Sequence, residues 1–322
     1  MIQFQKQPVM RQVVYSLIPA IVAGIFFYGW YTLVVWLTSM ITCTITEWLF
    51  VRSKKTAKVS EAVWVTATLF AMTLPPSIPL WIVTVGCIFA VIFAKMAFGG
   101  FGFNIFNPAL AGRAFIYIAF PTQMTAHWTS AADFTQFPAG LAAWRYQFDA
   151  LTSATPLSIF RDGLSIQLPY YKLLFGNING TVVKLGETLP IGGGCIGETS
   201  ALLLILGGGW LLFKKISNWR IVLSFFTSFL VMQPIFHALF PLKTPDLLYG
   251  LLSGGIILGA FYMLTDPVSA AKTDSGQWIY GFLVAFFTII IRSFSLFPEG
   301  MMFAILLGNM FNPIIDLIFK KA

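Results

Sequence analysis

The residues best suited to chemistry form one short run, Asp149-Ala150-Leu151-Thr152-Ser153-Ala154-Thr155-Pro156, which sets hydroxyls and a carboxylate ahead of a proline. Pro156 disfavours helix at Thr155, and the small Ser153 and Ala154 leave room around the Thr155 hydroxyl. A hydroxyl is a poor nucleophile until an enzyme activates it. An acceptor here would need an extended, accessible segment. Without further context the same run is a turn, because Ser and Thr side chains bond nearby backbone, and Asp149 is a solvated loop acid.

A second group is Gly99, Gly100 and Gly102 with Asn104 and Asn107. No strand precedes these glycines, which excludes the dinucleotide-binding fingerprint. Glycine permits close backbone approach to a flat ring. The two carboxamides can each offer a donor and an acceptor to its polar edge, or can cap a helix. Glu198, Asp266, Glu299, Asp316 and Arg113 lie at or inside apolar runs, where a charge is costly unless hydrated, paired or functional. One or two of them would border an ion path; interfacial snorkelling or ion pairing with another subunit accounts for each equally well. Cys43, Cys87 and Cys195 lack ligand spacing and read as packing residues. His127 and His237 are isolated and are assigned no metal or catalytic role.

Apolar elements must position these groups. The chain has 322 residues, 57% hydrophobic and only 10% charged, against about 25% charged in soluble domains. Ten apolar runs read as helical spans: 13–28, 31–50, 62–74, 80–98, 108–120, 199–213, 221–240, 247–264, 278–291 and 301–319. Several are short, as befits helices that are broken or start inside protein. The formal charge of +8 comes from clusters between these runs, so lipid is the partner and nucleic acid is not. No cleavable signal peptide is evident. Of the 20 Lys and Arg residues, 13 fall on one side if the N-terminus is cytoplasmic, in line with the positive-inside rule. Both termini then face the cytoplasm, and the polar stretch 121–197 lies outside, held to the interface by residues such as Trp144 and Tyr170. Asn107-Pro108-Ala109-Leu110 is echoed by Asn312-Pro313-Ile314-Ile315, and Thr73-Leu74-Pro75-Pro76 by Thr265-Asp266-Pro267. The expected fold is an all-α polytopic membrane protein of two inverted five-helix halves, 1–120 and 198–322, separated by the loop 121–197.

Five further motifs occur in order: Phe98-Gly99-Gly100-Phe101-Gly102-Phe103-Asn104, Asn107-Pro108-Ala109-Leu110, Gly194-Cys195-Ile196-Gly197-Glu198-Thr199-Ser200, Thr265-Asp266-Pro267-Val268-Ser269-Ala270 and Phe297-Pro298-Glu299-Gly300. Together with the 149–155 run, they resemble one family, RnfD/NqrB. It comprises the D-type subunit of the RNF electron transport complex and its homologue, the B-type subunit of the sodium-pumping NADH:quinone oxidoreductase, NQR. The 149–155 run resembles that family's flavinylation motif, with Ser153 where glycine is usual. The resemblance implies FMN bound through its phosphate to Thr155, with Asp149, Thr152, Ser153 and Ala154 completing the motif. It also implies a noncovalent riboflavin within the membrane, for which Asn104, Asn107, Gly99 and Gly100 are the candidates. Further implications are a bacterial inner-membrane location, other membrane and peripheral subunits that include a second covalent-FMN protein, and a flavin transferase. The electron transport would couple ferredoxin:NAD or NADH:quinone oxidoreduction to export of Na+ or H+. The NQR form usually carries a long polar extension ahead of Met10-Arg11, so the RNF form is expected. A secondary transporter without flavin is the reading from another class, and a colourless band on a denaturing gel would favour it.

The orientation is testable by thiol labelling in intact cells. A cysteine placed between residues 53 and 59 should be shielded from an impermeant reagent, and one at Gly140 should react; the opposite pattern would overturn the topology.

Overall fold

The structure is a computed structural model that describes residues 3–52, 58–125, 128–133, 138–145, 155–161, 168–179, 181–184, 187–295, 297 and 299–319. A short strand β1 (Phe4–Gln5) leads into α1 (Pro8–Tyr28) and α2 (Tyr31–Val51). The turn between these helices is made by Gly29, at φ 94°, whose N–H returns to the Ile25 carbonyl. β2 (Val59–Ser60) pairs in parallel with β1 and ties the N-terminus to the start of α3 (Ala62–Met72). α4 (Leu80–Ala94) and α5 (Pro108–Ala119) complete the first half. The second half holds α9 (Ala201–Phe213) and α10 (Trp219–Leu239), separated from the first by the segments described below. It continues through α11 (Leu247–Leu252) and α12 (Ile256–Leu258), with α13 (Asp274–Phe294) and α14 (Met301–Phe319) at its end.

Among the described residues, six helices are long and apolar enough to cross a membrane: α1, α2, α4 with the turn that follows it, α10, α13 and α14. Their outward faces carry Val22, Phe93, Val231 and Leu317, each more than half exposed. So extensive an exposed apolar surface belongs against lipid, and the chain is a mostly helical, polytopic membrane protein. α3, α5 and α9 are shorter. The run 247–264 is not one helix. Gly254 and Gly255 both take φ 68°, which ends α11 and restarts the chain as α12, followed by a π-helical turn over Gly259–Met263. The halves repeat an order of neighbours: α2 packs on α3 and α4, and α4 on α5, while α10 packs on α11 and α13, and α13 on α14. The Asn-Pro echo does not mark equivalent positions, because Pro108 opens α5 whereas Pro313 lies inside α14.

The connecting stretch is more structured than a helix-free loop. It contains α6 (Pro121–Thr125), α7 (Pro156–Arg161) and α8 (Tyr170–Phe175). It also contains an antiparallel hairpin of β3 (Thr181–Lys184) and β4 (Glu187–Pro190), so the expectation of a purely helical chain needs this small correction. Thr181, Val182 and Val183 are β-branched and suit a strand. Ile159, Leu168, Leu173, Ile178 and Ile191 form a core of their own with Tyr249, which fastens the stretch to α11.

One labelling position must move. A side chain at Gly140 would collide with the Phe26 carbonyl of α1, so a cysteine there would disturb the fold. Leu141, at 36% exposed, and the exposed Lys58 are sound reporters, since the three native cysteines are buried. Leu141→Cys should label in intact cells and Lys58→Cys only after permeabilisation.

Candidate functional site

The larger candidate site is a partly open cleft lined by Met10 of α1, Val65 and Leu69 of α3, Leu211 of α9, and Phe261 and Tyr262 of the π turn. Its polar lining comes from Lys95, Asn104, Asn107, Thr265 and Asp266. Apolar walls with a few converging polar groups are the usual make-up of a small-molecule site. Asn104 and Asn107 both line this cleft. Asn107 is also the N-cap of α5: its Oδ1 accepts from the N–H groups of Ala109 at 3.0 Å and Leu110 at 3.4 Å. Its Nδ2 donates to the Met263 carbonyl at 3.3 Å, joining the two halves. Asn104 Nδ2 donates to the Phe106 carbonyl at 3.2 Å. Gly99 and Gly100 do not line the cleft; at φ 117° and 103° they turn the chain from α4 toward Asn104, and their neighbour Phe101 reaches the wall instead.

Sequence reasoning misses the charge at this wall. Lys95 reads from residue order as a cytoplasmic surface residue, yet it is 1% exposed. Its Nζ donates to Glu47 Oε2 at 2.6 Å and to Ser60 Oγ at 3.0 Å. The available signal is Glu47, an acid in the middle of an apolar run. Asp266, on the same wall, accepts from the Val268 N–H and the Ser269 hydroxyl.

The second candidate site surrounds Thr155. Asp149, Thr152, Ser153 and Ala154 lie outside the described residues. Thr155 is non-helical ahead of Pro156, as expected, but it is buried at 6% rather than accessible. The cause is α7, whose Ile159 packs into the core under the loop. Thr155 lines a tight hollow with Leu173, Gly193, Glu198, Gly254 and Glu299. It has space for about one water molecule, so a phosphoester beside the hydroxyl needs the surrounding chain to move.

Between the two sites lies a third chamber, lined by Met72, Arg113, Cys195, Glu198, Met263 and Glu299. Arg113 and Glu299 form a buried ion pair, with Cys195 Sγ 3.1 Å from Arg113 Nη2. Cys195 is therefore a polar partner and not only a packing residue. Cys195, Glu198 and Glu299 place ligand atoms within 4.8 Å of one another, but the Arg113 charge already neutralises Glu299 and opposes a cation there. Asp316 accepts from the N–H groups of Lys272 and Thr273 just ahead of α13. His237 lies beside the Thr244 carbonyl.

The two candidate sites sit at opposite ends of one helix. Met10 lines the cleft, while Tyr28 packs against Gly193 of the Thr155 hollow; 28 − 10 = 18 residues at 1.5 Å each separate them by about 27 Å. With that arrangement in view, comparison with known proteins is decisive. The family model described as NQR2, RnfD, RnfE family matches residues 3–322. The chain belongs to this family. The B-type subunit of Na(+)-translocating NADH-quinone reductase from Pseudomonas paraeruginosa is 37% identical over 298 residues, 89% of this chain and 66% of that protein. Its counterpart from Pseudoalteromonas atlantica is 39% identical over 280 residues, 84% and 62% of the respective chains. The D-type subunit of the ion-translocating oxidoreductase complex from Aliivibrio salmonicida is 32% identical over 332 residues, covering 96% and 92%. The chain thus spans just under two-thirds of the NADH-quinone reductase relatives, 66% and 62% in these two cases. Residues of all five motifs that carried the resemblance line these three cavities.

Asn107 separates two roles experimentally. Asn107→Asp keeps a capping acceptor but sets an oxygen against the Met263 carbonyl, whereas Asn107→Ala removes both bonds. The Asp variant is expected to melt at least as early as the Ala variant, which should lose about 1 kcal/mol for the cap alone. An Asp variant as stable as the parent would reduce Asn107 to a cap.

Proposed function

We propose that this chain is a membrane subunit of an ion-translocating oxidoreductase complex of the RNF or NQR kind, carrying electrons between the cofactors of partner subunits. The observation that supports this most is the pair of sites toward opposite ends of α1, one an apolar cleft with converging polar groups and one built around the motif threonine. Under this reading the bundle has ten crossings in two inverted halves, with the three shorter helices and the broken segment completing the six long ones. The N-terminus, the C-terminus and the cleft face the cytoplasm of a bacterial inner membrane, and Thr155 faces outward.

Thr155 Oγ1 would carry FMN through a phosphoester formed by a flavin transferase, with Asp149, Thr152, Ser153 and Ala154 as the recognised sequence. Because Thr155 is buried, attachment requires its hydroxyl to be uncovered for the transferase. Asn104, Asn107 and Asp266 would orient a noncovalent riboflavin in the cleft, while Phe101 and Phe261 exclude water from its faces. Flavins supply one- and two-electron exchange at a potential that the protein tunes. Electrons would come from and return to partner subunits, one of them bearing another covalent FMN. Relatives from both complexes match at 32–39% identity, so the partner that co-purifies, a cluster-rich cytoplasmic subunit or an NADH dehydrogenase subunit, separates RNF from NQR.

Thr155→Val preserves side-chain volume and should abolish the fluorescent band on a denaturing gel, leaving acid-extractable riboflavin unchanged. Asp149→Ala should reduce the band and Thr152→Val should reduce it less. Peptide mass spectrometry provides the sharper test, since an FMN adduct on any other residue, or a fully flavinylated Thr155→Val chain, would refute the assignment.

A further inference from the structure

We propose that Lys95 sets the redox potential of the ring held in the cleft, through an N–H that its protein partners leave uncommitted. The inference rests on the flavin reading of the cleft given above and names the group that would tune that flavin.

Lys95 ends α4 and begins the turn that leads to Asn104. Its side chain is 2% exposed, so lipid and water are both remote. An ammonium has three N–H donors. One meets Glu47 Oε2 and one meets Ser60 Oγ, and among the described residues the third has no hydrogen-bond acceptor. The orientation of the ion pair matters. Lys95 lines the cleft and Glu47 does not. Glu47 stands behind, with Oε1 taken by the Ser60 N–H at 2.9 Å. A ring in the cleft therefore meets the positive end of a neutral pair. The opposing charge is Asp266, whose oxygens are engaged by Val268 and Ser269.

Oxidised isoalloxazine is neutral. Reduction by two electrons from a partner subunit, together from a reduced flavin or one at a time from an iron–sulfur cluster, with one proton taken from water at N5, would leave it with a single negative charge near N1 and its adjacent carbonyl. Lys95 would then give a charge-assisted hydrogen bond to the reduced form and only a neutral one to the oxidised form. The low dielectric of the site enlarges that difference. Lys95 thus favours reduction and raises the potential, while Glu47 moderates the effect by sharing the charge.

The test is a spectroelectrochemical titration of the purified full-length chain in a Thr155→Val background, so that only cleft flavin is read. The double variant Lys95→Met/Glu47→Gln removes the pair without stranding a charge. It should weaken the preference for the reduced ring at least tenfold, lowering the midpoint by about 30 mV for a two-electron couple. Lys95→Arg should largely restore it, and Glu47→Gln alone should raise it. A double variant that keeps its flavin at the parent midpoint overturns the proposal. Should the double variant release the flavin, Glu47→Gln decides, because an unchanged midpoint there overturns it equally. Absence of extractable flavin from the Thr155→Val parent chain would defeat the cleft reading itself, and the role of Lys95 with it.

Discussion

Backbone carbonyls opened inside an apolar bundle must find partners within the protein, because lipid offers none. The break at Ser253 to Gly255 is where this chain meets that demand. Arg292, reaching from α13, donates to the carbonyls of Gly250, Ser253 and Gly254 at 2.8, 3.1 and 2.6 Å. Only glycine at 254 leaves space for the guanidinium. Much else follows from the break. The Glu198 carboxylate lies against Gly255, and the π turn beyond presents the Met263 carbonyl to Asn107 and Phe261 to the cleft. The Thr155 hollow includes Gly254 itself. Both candidate sites therefore depend on one unwound segment and the arginine that satisfies it.

Buried ion pairs form the second layer of organisation. Desolvation costs several kcal/mol per ion and largely offsets the attraction gained, so Lys95 with Glu47, and Arg113 with Glu299, are weak arguments for stability. Their positions say more. Each pair stands beside a cavity, and Arg113 of α5 meets Glu299 just ahead of α14, so the second pair also joins the halves. Fixed charges in such places shape the field through which electrons and ions would move. At the N-terminus, Arg11 with Glu61 plays a structural part, closing the corner where β1 meets β2.

Much of this is readable from residue order alone. Long apolar helices announce themselves by composition, and five motifs in sequence point to the family. Asn107 can be foreseen as a cap because Asn-Pro opens helices, whereas its candidacy for a ligand site comes from the family resemblance. The break in 247–264 is harder, since Gly254-Gly255 sits among apolar residues that continue the hydropathy on either side. Lys95 and Arg292 count as surface charges in a topology reading because counting treats position along the chain as depth. Their burial depends on acceptors, Glu47 and the 250–254 carbonyls, that only tertiary packing brings near. Thr155 is expected in the open for a similar reason: nothing in its immediate neighbours reveals that Ile159 anchors α7 to residues as distant as Tyr249.

The walls of the cleft come from both ends of the chain, Met10 at one and Phe261 to Val268 at the other. During synthesis the second wall emerges about 250 residues after the first, a delay of roughly 10 to 50 s at ordinary ribosomal rates. No ring can be enclosed before then. Capture of a ring in the cleft would thus be a late event in biogenesis, following synthesis of the first part of the chain and coinciding with closure of the last.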